Sequence, residues 1–80
     1  MNREEIRRAV LSALAEIAPE ADLVRLAPDA ELRETLDLDS MDFLGFVEKL
    51  AAATGVEVPD ADARRLTTLA GAVEYLAARS

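Results

Sequence analysis

Leu38-Asp39-Ser40-Met41-Asp42-Phe43-Leu44-Gly45-Phe46-Val47-Glu48-Lys49-Leu50 carries the chain out of a polar loop and into an apolar-periodic helix. Asp39 or Ser40 can serve as N-cap, because either side-chain oxygen can accept from an unpaired backbone N–H of the first turn. Asp42, three residues after Asp39, puts negative charge where the helix dipole favours it. A serine hydroxyl at this junction is exposed and has a local positive potential beside it, which suits a phosphate esterified to its oxygen. Taken alone, D-S-x-D reads as a helix cap and nothing more, since caps are common and short motifs recur by chance.

The helix that follows is predicted over 40–53 and stops at Gly55, a residue suited to the left-handed position after a helix. Met41, Leu44, Val47 and Ala51 define one face, and Phe43, Phe46 and Leu50 widen it. Apolar residues at this spacing ordinarily pack as core, although one such face could also line a space for a guest chain.

Working outward, Asn2 with Glu5 three residues on predicts a capped first helix running to about Ile17, with Ile6, Val10, Ala13, Leu14 and Ile17 as its buried stripe and Pro19 ending it. Residues 18–39 form a connection longer than usual for neighbouring helices, so Leu23, Leu26, Leu32, Leu36 and Leu38 must cover the core, with a short helical turn expected over 28–33. After Val58-Pro59, Asp60 is expected to cap a short helix to about Arg65. Thr67 or Thr68 is expected to cap a last helix to Ala78, with Leu69, Ala72, Val73, Leu76 and Ala77 inward. There is no alternating strand pattern and no repeat. The fold class is all-α: a four-helix bundle of three main helices and a short third one, with a long first loop, in one domain over 1–80.

Composition narrows the function. Eighty residues can bury only about 60% of the surface their unfolded chain exposes, enough for one modest core. The net charge of −7 argues against nucleic acid, whose binding depends on Lys and Arg meeting phosphates. Residues 16–62 hold thirteen acidic and three basic side chains, a balance of −10, while both terminal segments are net positive. An acidic field therefore surrounds Ser40 and would speed encounters with basic partner surfaces, beyond any role in solubility. With no Cys and no His, disulfides, thiolate nucleophiles and His-based metal or acid–base sites are absent. No stretch approaches the roughly eighteen apolar residues of a membrane span, and the start lacks a signal-peptide core, so a monomer in the cytoplasm is expected.

Two chemical alternatives fail on spacing. An EF-hand starting at Asp37 would reach Glu48 at its last ligand, but Met41 falls on a ligand position and Asp42 on the position that needs Gly; no metal site is expected. A Ser–Lys nucleophile is excluded because Lys49, the only lysine, stands about 13.5 Å of helical rise from Ser40. The chain is not expected to be an enzyme.

From Leu32 to Tyr75 the sequence resembles the acyl carrier protein family. The resemblance rests on Leu32 and Leu36, the Asp39-Ser40-Met41-Asp42 core, Phe43 through Leu50, Val56-Glu57-Val58-Pro59-Asp60, Leu66-Thr67-Thr68-Leu69 and Tyr75, without a gap. It implies that Ser40 carries a 4′-phosphopantetheine arm, transferred from coenzyme A by a phosphopantetheinyl transferase with Mg²⁺, whose thiol holds acyl groups as thioesters. It implies delivery to acyl-loading and acyl-transferring enzymes with basic surfaces, in fatty-acid, lipid or polyketide-type biosynthesis. Asp39, Met41, Asp42, Leu44 and Glu48 match the family's partner-contact positions, and Val47, Leu50, Ala63 and Leu66 are the expected acyl-pocket lining. Aminoacyl cargo such as D-alanine is an alternative within the family, and an unmodified acidic interaction module is the rival outside it. Gly45 and Ala51-Ala52-Ala53 stand where acids are common in general fatty-acid carriers, and Asp37 where Gly is frequent. These departures imply a specialised carrier.

Overall fold

Asn2 and Glu5 satisfy each other's backbone at the start of the chain: Asn2 Oδ1 accepts from the Glu5 N–H at 2.8 Å and Glu5 Oε1 from the Asn2 N–H at 2.9 Å. This reciprocal box opens α1, Arg3–Ile17, as the sequence predicts. The structure is a computed structural model that describes residues 1–79. Ile6, Val10, Ala13 and Leu14 of α1 are buried, and Ile17 packs half-buried at its end.

The long connection is folded and anchored. It contains a 3₁₀ turn, Leu23–Arg25, and a single-turn helix α2, Leu32–Thr35. The helical turn expected over 28–33 forms later in the chain, as α2, with residues 28–31 left non-helical, for a reason that lies in the backbone. The Pro28 carbonyl accepts from the Ala70 N–H at 2.9 Å, the Leu32 N–H donates to the Thr67 carbonyl at 2.8 Å, and Glu31 bridges antiparallel to Thr68. Backbone groups committed to another segment cannot also close a local helix. The Glu31 carboxylate then caps α2, accepting from the Arg33 and Glu34 N–H groups at 3.2 and 3.3 Å.

α3 spans Ser40–Thr54 and ends where Gly55 takes φ 72°, its N–H bonded to the Ala51 carbonyl at 2.9 Å. Its inner face is Phe46, Val47 and Leu50, with Phe43 packed at the edge. That set follows i, i+3, i+4, i+7, a complete helical stripe. Met41 and Leu44, expected on a shared apolar face with Val47, point outward instead and are 74% and 48% exposed.

The expected short third helix is present as a 3₁₀ helix, Asp60–Leu66. Asp60 does not cap it: Pro59, extended at φ −62° and ψ 150°, is already the flanking residue, and its carbonyl accepts from the Asp62 N–H at 2.9 Å. α4, Leu69–Arg79, is capped by Thr68, whose Oγ1 accepts from the Gly71 N–H at 2.9 Å. Leu69, Ala72, Val73 and Leu76 are inward as expected, Ala77 is half-buried, and Tyr75 joins the core. The Tyr75 hydroxyl donates to Asp62 Oδ2 at 2.7 Å, clamping the 3₁₀ helix to α4, while Arg79 and Arg65 lie over the ring. That hydrogen bond, with burial second, holds the phenol above its ordinary pKa. α1 packs against both α3 and α4, and the fold is all-helical, with three long helices and two short helical segments besides α2.

Two helical glycines have opposite surroundings. A methyl at Gly71 would stand 2.9 Å from both the Arg65 carbonyl oxygen and Thr68 Oγ1, whereas one at Gly45 would meet only the Ile17 Cδ1 tip at 3.3 Å. Gly71→Ala is expected to destabilise the fold by about 1–3 kcal/mol through overpacking. Gly45→Ala should be neutral or stabilising, since a helix interior gains about 1 kcal/mol on losing Gly and the Ile17 tip can shift. Urea unfolding of the two variants measures both, and equal losses would contradict this account of the packing.

Candidate functional site

The segment from Glu31 to Asp42 makes two helix boundaries in immediate succession. α2 closes with the Leu38 N–H donating to the Arg33 carbonyl at 2.9 Å while Asp37 sits at φ 54°. This is the six-to-one bond of a Schellman-type ending, which needs a left-handed residue at that point. Gly meets the need without strain, and Asp is among the few other residues that enter this region readily. Leu38, buried at the turn, holds the junction down on the protein.

Asp39 then starts α3. Its Oδ1 accepts from the Asp42 N–H at 2.8 Å, and Asp42 Oδ2 accepts from the Asp39 N–H at 3.2 Å, so the two carboxylates form a reciprocal cap. Of the two cap candidates, Asp39 takes the role and Ser40 is the first helical residue. Its exposed hydroxyl is released from backbone duty. The Phe43 N–H goes to the Asp39 carbonyl at 3.0 Å, while the N–H groups of Ser40 and Met41 find no protein acceptor among the described residues. One side chain addresses Ser40 Oγ: Arg33 Nη2 donates to it at 3.3 Å, with the guanidinium over the Phe43 ring at 5.8 Å.

The other predicted site residues fall into two groups. Met41, Leu44 and Glu48 are exposed on α3, Asp39 is exposed at its N-cap and Asp42 is half-buried in its first turn, so all five flank or share the helix that presents Ser40. Val47, Leu50 and Leu66 are buried in the core cluster and Ala63 packs half-buried against it. A half-open groove of about 640 Å³ lies elsewhere, between the end of α1, the loop that follows and the Thr35–Leu38 turn, with Asp42 on its rim. Arg33 escaped the sequence reading; the signal for it was its status as one of only three bases among residues 16–62, seven positions before the serine.

Chemically, the site presents a hydroxyl next to two free backbone donors and a guanidinium, with no imidazole or thiol in the chain to act on it. The free donors at a helix start fit a phosphate ester. Together, bundle and site define a helical domain that presents an exposed serine hydroxyl at a helix start. The sequence profile of the family described as "Phosphopantetheine attachment site" matches residues 8–76. The chain is 36% identical over 76 residues to an acyl carrier protein of Rubrobacter xylanophilus, covering 95% of this chain and 93% of the relative. It is likewise 36% identical over 76 residues to one of Lactobacillus johnsonii, covering 95% and 94%. The solved acyl carrier protein of Enterococcus faecalis superposes with a TM-score of 0.86 at 26% identity, over 100% of both chains. The chain belongs to the acyl carrier protein family. The cofactor of such a domain is a covalently attached 4′-phosphopantetheine. No helix among the described residues is long and apolar enough to cross a membrane.

The cap assignment can be checked directly. Asp39→Ala should lower stability by about 0.5–2 kcal/mol, the cost of a lost N-cap, while Ser40→Ala should stay within about 0.5 kcal/mol of the wild type. Thermal unfolding of the two unmodified proteins measures this, and the reverse order would return the cap to Ser40.

Proposed function

We propose that Ser40 is the attachment point of the 4′-phosphopantetheine arm and that the chain carries acyl groups as thioesters between biosynthetic enzymes. The observation that carries this reading is the division of labour at the start of α3: Asp39 caps, and the Ser40 hydroxyl stands exposed beside unfilled N–H donors. In the loading reaction the Ser40 oxygen bonds to the phosphorus of coenzyme A's phosphopantetheine. The pyrophosphate link breaks, and adenosine 3′,5′-bisphosphate and a proton leave. A phosphopantetheinyl transferase with Mg²⁺ supplies the base and the metal. The arm's thiol supplies the thioester chemistry once attached, and this chain's residues position the anchor and recruit the enzymes.

Recruitment is assigned to Asp39, Asp42 and Glu48 as charges and to Met41 and Leu44 as apolar contacts. Acids on an exposed helix steer basic enzyme surfaces over a range set by ionic strength. The 74% exposure of Met41 beside a half-exposed Leu44 gives docking an apolar centre. Val47, Leu50, Ala63 and Leu66 would line the cargo space, and a chain entering there must part α3 from the 3₁₀ helix. Ala52 and Ala53 leave the far end of α3 exposed without acids, consistent with a specialised carrier whose partners grip the start of α3.

Incubation with coenzyme A, Mg²⁺ and a broad-specificity transferase should add one phosphopantetheine mass to the wild type and none to Ser40→Ala, read by intact-mass analysis. An unmodified wild type beside reacting control carriers, or a labelled variant, sinks the assignment.

Charge reversal at Asp39, Asp42 or Glu48 should slow association with the transferase several-fold at low salt and lose most of that effect at high salt, where the Debye length falls to about 3 Å at 1 M. Reversal at Glu4, on α1 and already paired with Arg8, should do little. Stopped-flow kinetics across a salt series separates the two; equal effects at both places would refute a localised docking surface.

A further inference from the structure

The three bases within residues 16–62 are placed unequally. Arg25 pairs with Asp22 at 3.4 Å and Lys49 with Glu16 at 3.5 Å. Arg33 has no carboxylate within salt-bridge distance among the described residues, although Glu31, Glu34 and Asp37 are its sequence neighbours. Two of those acids are held by other structure: the Glu31 carboxylate is turned to the α2 backbone, and Asp37 is set by its left-handed φ. The guanidinium instead lies over the Phe43 ring at 5.8 Å and donates to Ser40 Oγ at 3.3 Å, a neutral oxygen and a poor match for an unpaired cation.

We infer that Arg33 is the anchor of the arm's phosphodiester, an inference that rests on Ser40 being the attachment point. A phosphate on Oγ puts two non-bridging oxygens and one negative charge next to a group that now meets only a hydroxyl. Guanidinium presents its N–H donors in a planar fork that matches phosphate, and its charge needs no titration to persist. The Phe43 face limits the side chain's swing, so the cation is in place before the phosphate arrives. The unfilled N–H groups of Ser40 and Met41 approach the same position from the helix start. The phosphate is thereby held from the α2 side by the side chain and from the α3 side by backbone. The flexible part of the arm begins beyond it, and its direction of exit is fixed by α2. Arg33 is a positioning residue in this scheme, with no part in bond making.

The test compares wild type with Arg33→Ala, Arg33→Gln and Arg33→Lys. Each is converted with coenzyme A, Mg²⁺ and a broad-specificity transferase and checked by intact mass and by melting of the unmodified form. ³¹P NMR of the loaded proteins and the ¹H–¹⁵N signal of the Arg33 Nε–H are the readouts. In the wild type the Nε–H signal should move on loading. In the Ala and Gln variants the phosphorus signal should move toward that of free phosphopantetheine and sharpen, with Lys in between, and added salt should drive the wild type the same way. Fully loaded, folded variants with the wild-type phosphorus signal overturn the anchor while leaving the Ser40 assignment standing. A wild type that accepts no arm while control carriers do overturns both.

Discussion

The hydrogen bonds that tie residues 28–32 to the start of α4 set the position of everything that follows. Pro28 receives the Ala70 N–H and Leu32 gives its N–H to Thr67, so one tie satisfies an orphan donor of α4 and the other places the first residue of α2. A loop of this length with free backbone would leave α2, and with it the serine junction, at the mercy of chain entropy. Two backbone bonds, backed by the buried Leu26 and Leu32, convert the loop into a bracket. From that bracket the Schellman-type ending at Asp37 and the capping box at Asp39 follow within a few residues, which is how a surface hydroxyl acquires a defined place and direction.

The charge distribution works on top of this frame. Exposed carboxylates crowd residues 16–62, the stretch that includes Ser40, while the bases within it are committed: two to carboxylates and one to the serine oxygen. Exposed pairs such as Arg8 with Glu4 add little stability. Acids left without a partner, by contrast, project a negative field beyond the surface.

What the sequence made legible was local. Helix starts carried by Asn2, Asp39 and Thr68, the stop at Gly55 and the inward stripes of α1 and α4 all depend on residues within a turn of one another, and spacing alone exposes them. The displaced helical turns in the long loop were hidden because their cause, a pairing with residues 67–70, lies some forty residues away. Asp60 misled for a related reason: Pro59 supplied the extended flanking residue without a polar side chain. Met41 and Leu44 looked like core because periodicity cannot tell an inward stripe from an exposed apolar strip beside it. At the site the serine and its flanking acids were legible, but the choice between Asp39 and Ser40 as cap, and the presence of Arg33, depended on side-chain directions that no spacing encodes.

Because Asp39 holds the α3 cap, the oxygen of Ser40 contributes no hydrogen bond to the backbone. A substituent on that oxygen uncaps nothing and leaves the Asp39–Asp42 box as it was. Enzymes that must tell a charged carrier from an empty one then find the same helix start in both, and discrimination passes to whatever hangs from the serine.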